Sequence, residues 1–284
     1  MCDIDHFEED RKYAESRGWI TRKEFGMMLG AGIFALPKVA NAVTVTDAEV
    51  EIKTPDGTAD CYWVHPATGT APGVIVWPDI FGLRPAMRQM GKRLAESGYS
   101  VLVVNPFYRA QKGTTTGTAA TIQMGAMRPL MQALNETTHL TDAKAFVAWL
   151  DQQASVAKNR KIGTQGYCMG GPIAFRTAVA SDRVGAVASF HGAALVSTAA
   201  NSPHTQAAKT KAQFLVAIAE GDDRGAPNDK TTMKDTFAKA GLSAEIEVYP
   251  AAHGWCPPDT NVYNQEAAEK AWTRLLALYS KALA

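Results

Sequence analysis

A single α/β domain, with a mostly parallel sheet opened by an antiparallel hairpin and covered by helices on both faces, is predicted by three observations. Apolar runs of strand length alternate with helical patterns from residue 43 to the end. The runs at 73–77 and 100–104 are apolar at nearly every position, as strands buried on two faces must be. The 284 residues are 46% hydrophobic, enough for one large core and no obvious second domain.

In chain order, Glu49-Val50-Glu51-Ile52-Lys53 alternates with period two, Pro55-Asp56-Gly57 marks a turn, and residues 59–64 return as the second arm of a hairpin. The strand at 73–77, a helix at 86–97 and the strand at 100–104 form a β-α-β unit. Residues 111–118 are polar and read as a surface loop, followed by helical patterns through roughly 119–153. Strands are then expected at 161–166, 185–190, 213–219 and 244–249, and helices at 171–181, 229–240 and 262–281.

Charge narrows the partner. Lysine plus arginine total 29 against 28 acidic residues, so no field favours nucleic acid or an anionic membrane, and a small molecule is the expected partner. The four cysteines, Cys2, Cys61, Cys168 and Cys256, have neither C-x-x-C nor zinc spacing, so no metal site and no cofactor is expected. A Cys61 to Cys256 disulfide is conceivable in an oxidising compartment.

Residues 1–42 read as a leader. The uncharged run at 26–36 has the length of a signal core, follows Arg22-Lys23 and precedes the small-x-small sequence Ala40-Asn41-Ala42. It is too short to span a bilayer. Thr21-Arg22-Lys23-Glu24-Phe25 resembles the twin-arginine export signature with lysine in the second place. Cleavage after Ala42 would deliver residues 43–284 to the periplasm as a monomer free of the membrane; the other reading is an amphipathic helix packed on the domain, in a cytoplasmic protein.

The stretch Gly166-Tyr167-Cys168-Met169-Gly170-Gly171 lies between a strand and an apolar helical pattern, the context of a G-x-S-x-G nucleophile elbow, with cysteine in place of serine. Its glycines suit a turn whose neighbours admit no side chain. A small buried cysteine in a core turn would satisfy the same six residues. The next two strands decide between these readings. One ends in Glu220-Gly221-Asp222-Asp223 and the other in Tyr249-Pro250-Ala251-Ala252-His253-Gly254, which reproduces the order nucleophile, acid, histidine. Either Asp222 or Asp223 could orient His253, and His253 could take the thiol proton.

Together with Pro78-Asp79-Ile80-Phe81-Gly82 and Pro106-Phe107-Tyr108-Arg109, these motifs resemble the dienelactone hydrolase family from about residue 45 to 284. The resemblance implies an α/β-hydrolase fold and a Cys168, His253, Asp222 hydrolase of small esters or lactones, working through a thioester. It places the oxyanion-stabilising N–H groups at Ile80 and Met169. It also gives Asp79 the place of a glutamate that holds the resting thiol, and Arg109 the place of one of two arginines that clamp a substrate carboxylate. The second arginine's place, four residues after the histidine, holds Pro257, with Arg84 a nearby substitute; a relaxed hydrolase is expected rather than a dedicated dienelactone enzyme. A non-catalytic binding protein and a redox-active thiol are the competing classes. His191, at the end of the strand at 185–190, reads as a bridging histidine.

Overall fold

The computed structural model describes residues 12–13, 15–18, 35–113, 117, 119 and 124–284. Most of the stretch read as a signal core therefore lies outside the described residues. Eight strands form one sheet in the order β1-β2-β4-β3-β5-β6-β7-β8: β1 (Val45–Thr54), β2 (Gly57–Pro66), β3 (Gly73–Trp77), β4 (Ser100–Val104), β5 (Ile162–Tyr167), β6 (Val184–Phe190), β7 (Gln213–Ala219) and β8 (Ala244–Tyr249). The β1–β2 hairpin is antiparallel and joins β4 antiparallel, whereas all the remaining pairs are parallel.

Alternation along the strands builds two cores. Ile75, Trp77, Leu102, Val104, Val187, Phe214 and Val216 face one layer. It is closed by α3 (Glu136–Leu150), α4 (Gly170–Ala180) and α7 (Asp229–Lys239), through residues such as Phe146, Phe175 and Phe237. Val74, Val76, Val101, Val103, Ala186, Ala188 and Leu215 face the other, closed by α1 (Pro85–Glu96) and α8 (Gln265–Ala282) through Met87, Leu94, Leu275 and Tyr279. Each fully buried large apolar side chain contributes about 1.5–3 kcal/mol. A sheet apolar on both faces therefore needs helices on both, which is why the strand sequences show little polar alternation.

Four details differ from the sequence reading. The helical stretch expected at 119–153 is broken within its described part into α2 (Met124–Gln132) and α3. Asn135 starts the second helix with a reciprocal cap: its side chain accepts from the Thr138 N–H, and the Thr138 hydroxyl accepts from the Asn135 N–H. Two short helices, α5 (Pro203–Ala207) and α6 (Glu220–Gly225), had no periodic signal because five or six residues do not complete a pattern. The disulfide considered above is absent, because Cys61 and Cys256 are free and buried in opposite core layers with the sheet between them.

Candidate active site

The carboxyl ends of the parallel strands bring the predicted residues to one edge of the sheet, where open α/β sheets place their ligands. Cys168 directly follows β5, and α4 begins two residues later. Its φ of +50° is a left-handed conformation that costs a non-glycine residue free energy and lifts its side chain off the strand direction. The flanking glycines are forced by contact. A Cβ on Gly166 would lie 2.0 Å from the Gly170 carbonyl oxygen, and one on Gly170 would lie 2.3 Å from the Trp77 carbonyl oxygen. The turn therefore closes only with hydrogen at both places.

His253, in the loop after β8, has its Nδ1 3.0 Å and 2.8 Å from the two carboxylate oxygens of Asp222. Asp222 sits on α6, directly after β7. Its neighbour Asp223 points elsewhere, accepting from Lys230 Nζ at 2.6 Å. This geometry separates the two adjacent carboxylates that the sequence leaves as alternatives. With Nδ1 engaged by Asp222, a proton transfer by this imidazole would run through Nε2. Cys168, Ile80 and Met169 belong to one apolar cluster with Phe81, Phe107 and Met127, so the two residues expected to supply oxyanion donors pack in the same cluster as the thiol-bearing residue. Cys168 is 2% exposed and His253 8%, so the site is largely screened from water.

Asp79 and Arg109 are each engaged by oppositely charged neighbours. Both oxygens of Asp79 are held by Arg84, at 2.6 Å from Nη1 and 2.9 Å from Nη2, and the first also accepts the Phe81 N–H. Arg84 continues to Asp259, donating from Nε at 2.6 Å and Nη2 at 2.9 Å. Asp259 in turn accepts the N–H of Ala119. All three side chains are buried, and burial pushes the Asp79 carboxyl up against the lowering influence of Arg84. Asp79 thus stands as one end of a buried Asp79–Arg84–Asp259 bridge. Arg109 donates to Asp56 from Nε and Nη2 and to Asp142 from Nη1 and Nη2, so its fork is filled by two protein carboxylates. Neither arrangement has a short sequence signature, because Asp259 and Asp142 lie 175 and 33 residues from their arginines.

His191 departs from expectation. It does not bridge: neither ring nitrogen has a hydrogen-bond partner in another residue, although the residue is fully buried. Its ring meets His253 and Trp255 edge-on, both with centroids 5.0 Å away. Its φ is +41°. Farther out, Tyr13 of the N-terminal stretch donates to Glu220 at 2.7 Å, and Arg224 lies 3.7 Å from the Tyr13 ring, so this segment rests on the same short helix that carries Asp222.

Comparison with known proteins identifies the family. The model of the dienelactone hydrolase family matches residues 59–283. A protein of Methylorubrum extorquens, provisionally named a carboxymethylenebutenolidase, is 27% identical over 95% of this chain and 96% of its own length. A Bradyrhizobium protein with the provisional name 2-oxo-3-(5-oxofuran-2-ylidene)propanoate lactonase is 26% identical over 80% of this chain and 91% of its own. The crystal structure of a provisionally assigned dienelactone hydrolase from Klebsiella pneumoniae superposes with a TM-score of 0.72 at 23% identity, covering 84% of this chain and 99% of that one, a likeness of fold. With nearly the whole domain matched and the elbow, acid and histidine at one sheet edge, the chain belongs to the dienelactone hydrolase family.

Proposed function

We propose that this protein hydrolyses small esters or lactones with Cys168 as nucleophile, His253 as general base and acid, and Asp222 as the group that orients His253. The observation that carries the reading is the Asp222–His253 pair standing at the same sheet edge as a cysteine held at φ +50°. The thiol gives its proton to His253 Nε2, and Sγ attacks the ester carbonyl carbon. The carbonyl oxygen becomes an oxyanion stabilised by the backbone N–H groups of Met169 and Ile80. Collapse breaks the C–O bond, the leaving oxygen takes the proton from His253, and a thioester remains on Cys168. Water then gives a proton to His253 and attacks the thioester, releasing the acid and the thiol. The names carried by the relatives from Methylorubrum and Bradyrhizobium support the substrate class. Steady-state hydrolysis of dienelactone, simple lactones and aryl acetates by the parent and by Cys168→Ala tests it. Turnover by the parent and its loss in the variant are expected; equal rates in the two proteins refute the assignment.

We further propose that residues 1–42 are an export leader and that the mature enzyme is a periplasmic monomer. The charged pair, the uncharged run and the small-x-small site support this. Among the described residues no helix is long and apolar enough to cross a membrane. Mass measurement of the protein recovered from periplasm should give a chain beginning at Val43. An intact chain confined to the cytoplasm, with Tyr13 retained on Glu220, contradicts it.

A further inference from the structure

Three features of the chain bear on what the thiol is offered. The first is the filling of both arginines that a substrate carboxylate could use. Arg84 donates from all three nitrogens to Asp79 and Asp259, and Arg109 does the same to Asp56 and Asp142. Breaking either arrangement to admit a ligand carboxylate would leave a protein carboxylate unpaired, Asp79 and Asp259 in full burial. The Asp79–Arg84–Asp259 bridge has two formal negative charges for one positive, so this end of the site carries excess acid, with Asp222 adding to it. A second carboxylate entering here meets repulsion.

The second feature is the apolar wall. Cys168 packs among Ile80, Phe81, Phe107, Met127 and Met169, side chains that desolvate a ligand without supplying a counter-ion. The third is His191. A fully buried imidazole with no hydrogen bond to another residue loses hydrogen bonds that water would supply, and a φ of +41° adds backbone strain. Those two costs fall on a residue whose ring touches His253. Burial foremost, and His253 next to it, holds the His191 imidazole well below its ordinary range, which leaves it one donor and one acceptor and no charge. Such a ring matches a hydroxyl, which can both accept and donate.

From these observations we infer that the site selects uncharged esters and lactones over carboxylate-bearing ones, and that His191 contacts a hydroxyl of the bound substrate. The inference deepens the hydrolase reading and rests on the same site. A hydrogen bond to a buried group left orphaned in the free protein is worth about tenfold in affinity. His191 is then a specificity-determining residue rather than filler between His253 and Trp255.

The test is calorimetric binding to full-length Cys168→Ala, which removes turnover from the readout. The probes are butyrolactone carrying a hydroxymethyl group and the same ring carrying a carboxylate. The hydroxymethyl lactone is expected to bind at least about tenfold tighter. Adding His191→Phe should remove about tenfold from the hydroxymethyl lactone and leave the carboxylate lactone unchanged. Equal or tighter binding of the carboxylate, equal weakening of both by His191→Phe, or no binding of either overturns the inference. The comparison of probes in Cys168→Ala stands even if the phenylalanine variant fails to fold. Failure of the hydrolase reading is separate, since it shows as an inert parent enzyme whatever the order of affinities.

Discussion

At the carboxyl edge of the sheet, His253 meets one carboxylate through Nδ1, at 2.8 Å, and its Nε2 is the nitrogen that the proposed mechanism uses. In the loop after β3, Arg84 meets two carboxylates through all three of its nitrogens. Both are basic side chains at this edge, and both are fixed by aspartates. The difference lies in what is left over: the first pair presents a base, while the second presents nothing and instead ties the loop after β3 to the loop after β8. Hydrogen-bond saturation, more than residue type, separates the reacting part of this edge from its scaffold. The same distinction divides Asp222 from Asp223, one turned to His253 and the other to Lys230.

The largest effect should come from the reacting half. Cys168→Ala should lower kcat by a factor on the order of 10⁴ or more in ester hydrolysis, with the melting temperature little changed. Asp222→Asn should cost on the order of 10³–10⁴ in kcat, because the imidazole loses its oriented tautomer, whereas Asp223→Asn should stay within about threefold. Equal losses in the two aspartate variants would erase the distinction drawn here.

The scaffold half should answer in stability. Asp259→Ala leaves buried Arg84 with one carboxylate and removes the acceptor for the Ala119 N–H, for a loss of about 3–5 kcal/mol read by denaturant unfolding. A stable protein that has lost only activity would make Asp259 part of the chemistry instead. Arg109→Gln should raise KM for a carboxylate-bearing dienelactone by less than about threefold, since its fork is already filled. A rise of a hundredfold would restore Arg109 as the substrate anchor.

A smaller and more gradual effect is expected from pH. Burial, and then the Arg176 guanidinium beside it, pushes His139 down to about 3 from an ordinary 6.5. Folded His139 therefore stays neutral where the unfolded chain takes up a proton. In the window between those two values the unfolded state binds more protons, so stability rises with pH and is lost as pH falls below about 6.5. The slope is about 1.4 kcal/mol per pH unit for one such group. Melting temperature should fall from pH 7 to pH 5, and His139→Gln should flatten that fall; an unchanged slope in the variant would assign the loss elsewhere.

Much of this architecture was legible because parallel strands buried on two faces are written as apolar runs, and β3, β4, β7 and β8 were read to the residue. The placement of Cys168, His253 and Asp222 at one sheet edge was legible because each follows a strand, and strand ends are visible in sequence. What stayed hidden was pairing across the fold. The sequence offers Asp79 and Arg109 as free groups, and only the folded chain brings Arg84 and Asp259 to one and Asp56 and Asp142 to the other. The orphaned nitrogens of His191 are likewise a property of its surroundings, since a histidine at a strand end more often finds a partner. Short helices such as α6 escaped because a single turn has no periodicity to detect.

Acid quench of the enzyme during turnover of an aryl acetate, followed by peptide mass analysis, tests the central claim most directly. The account predicts an acetyl group on the peptide containing Cys168, bound as a hydroxylamine-labile thioester and absent from Cys168→Ala. Acyl transfer to a different residue, or undiminished turnover in Cys168→Ala, would contradict it.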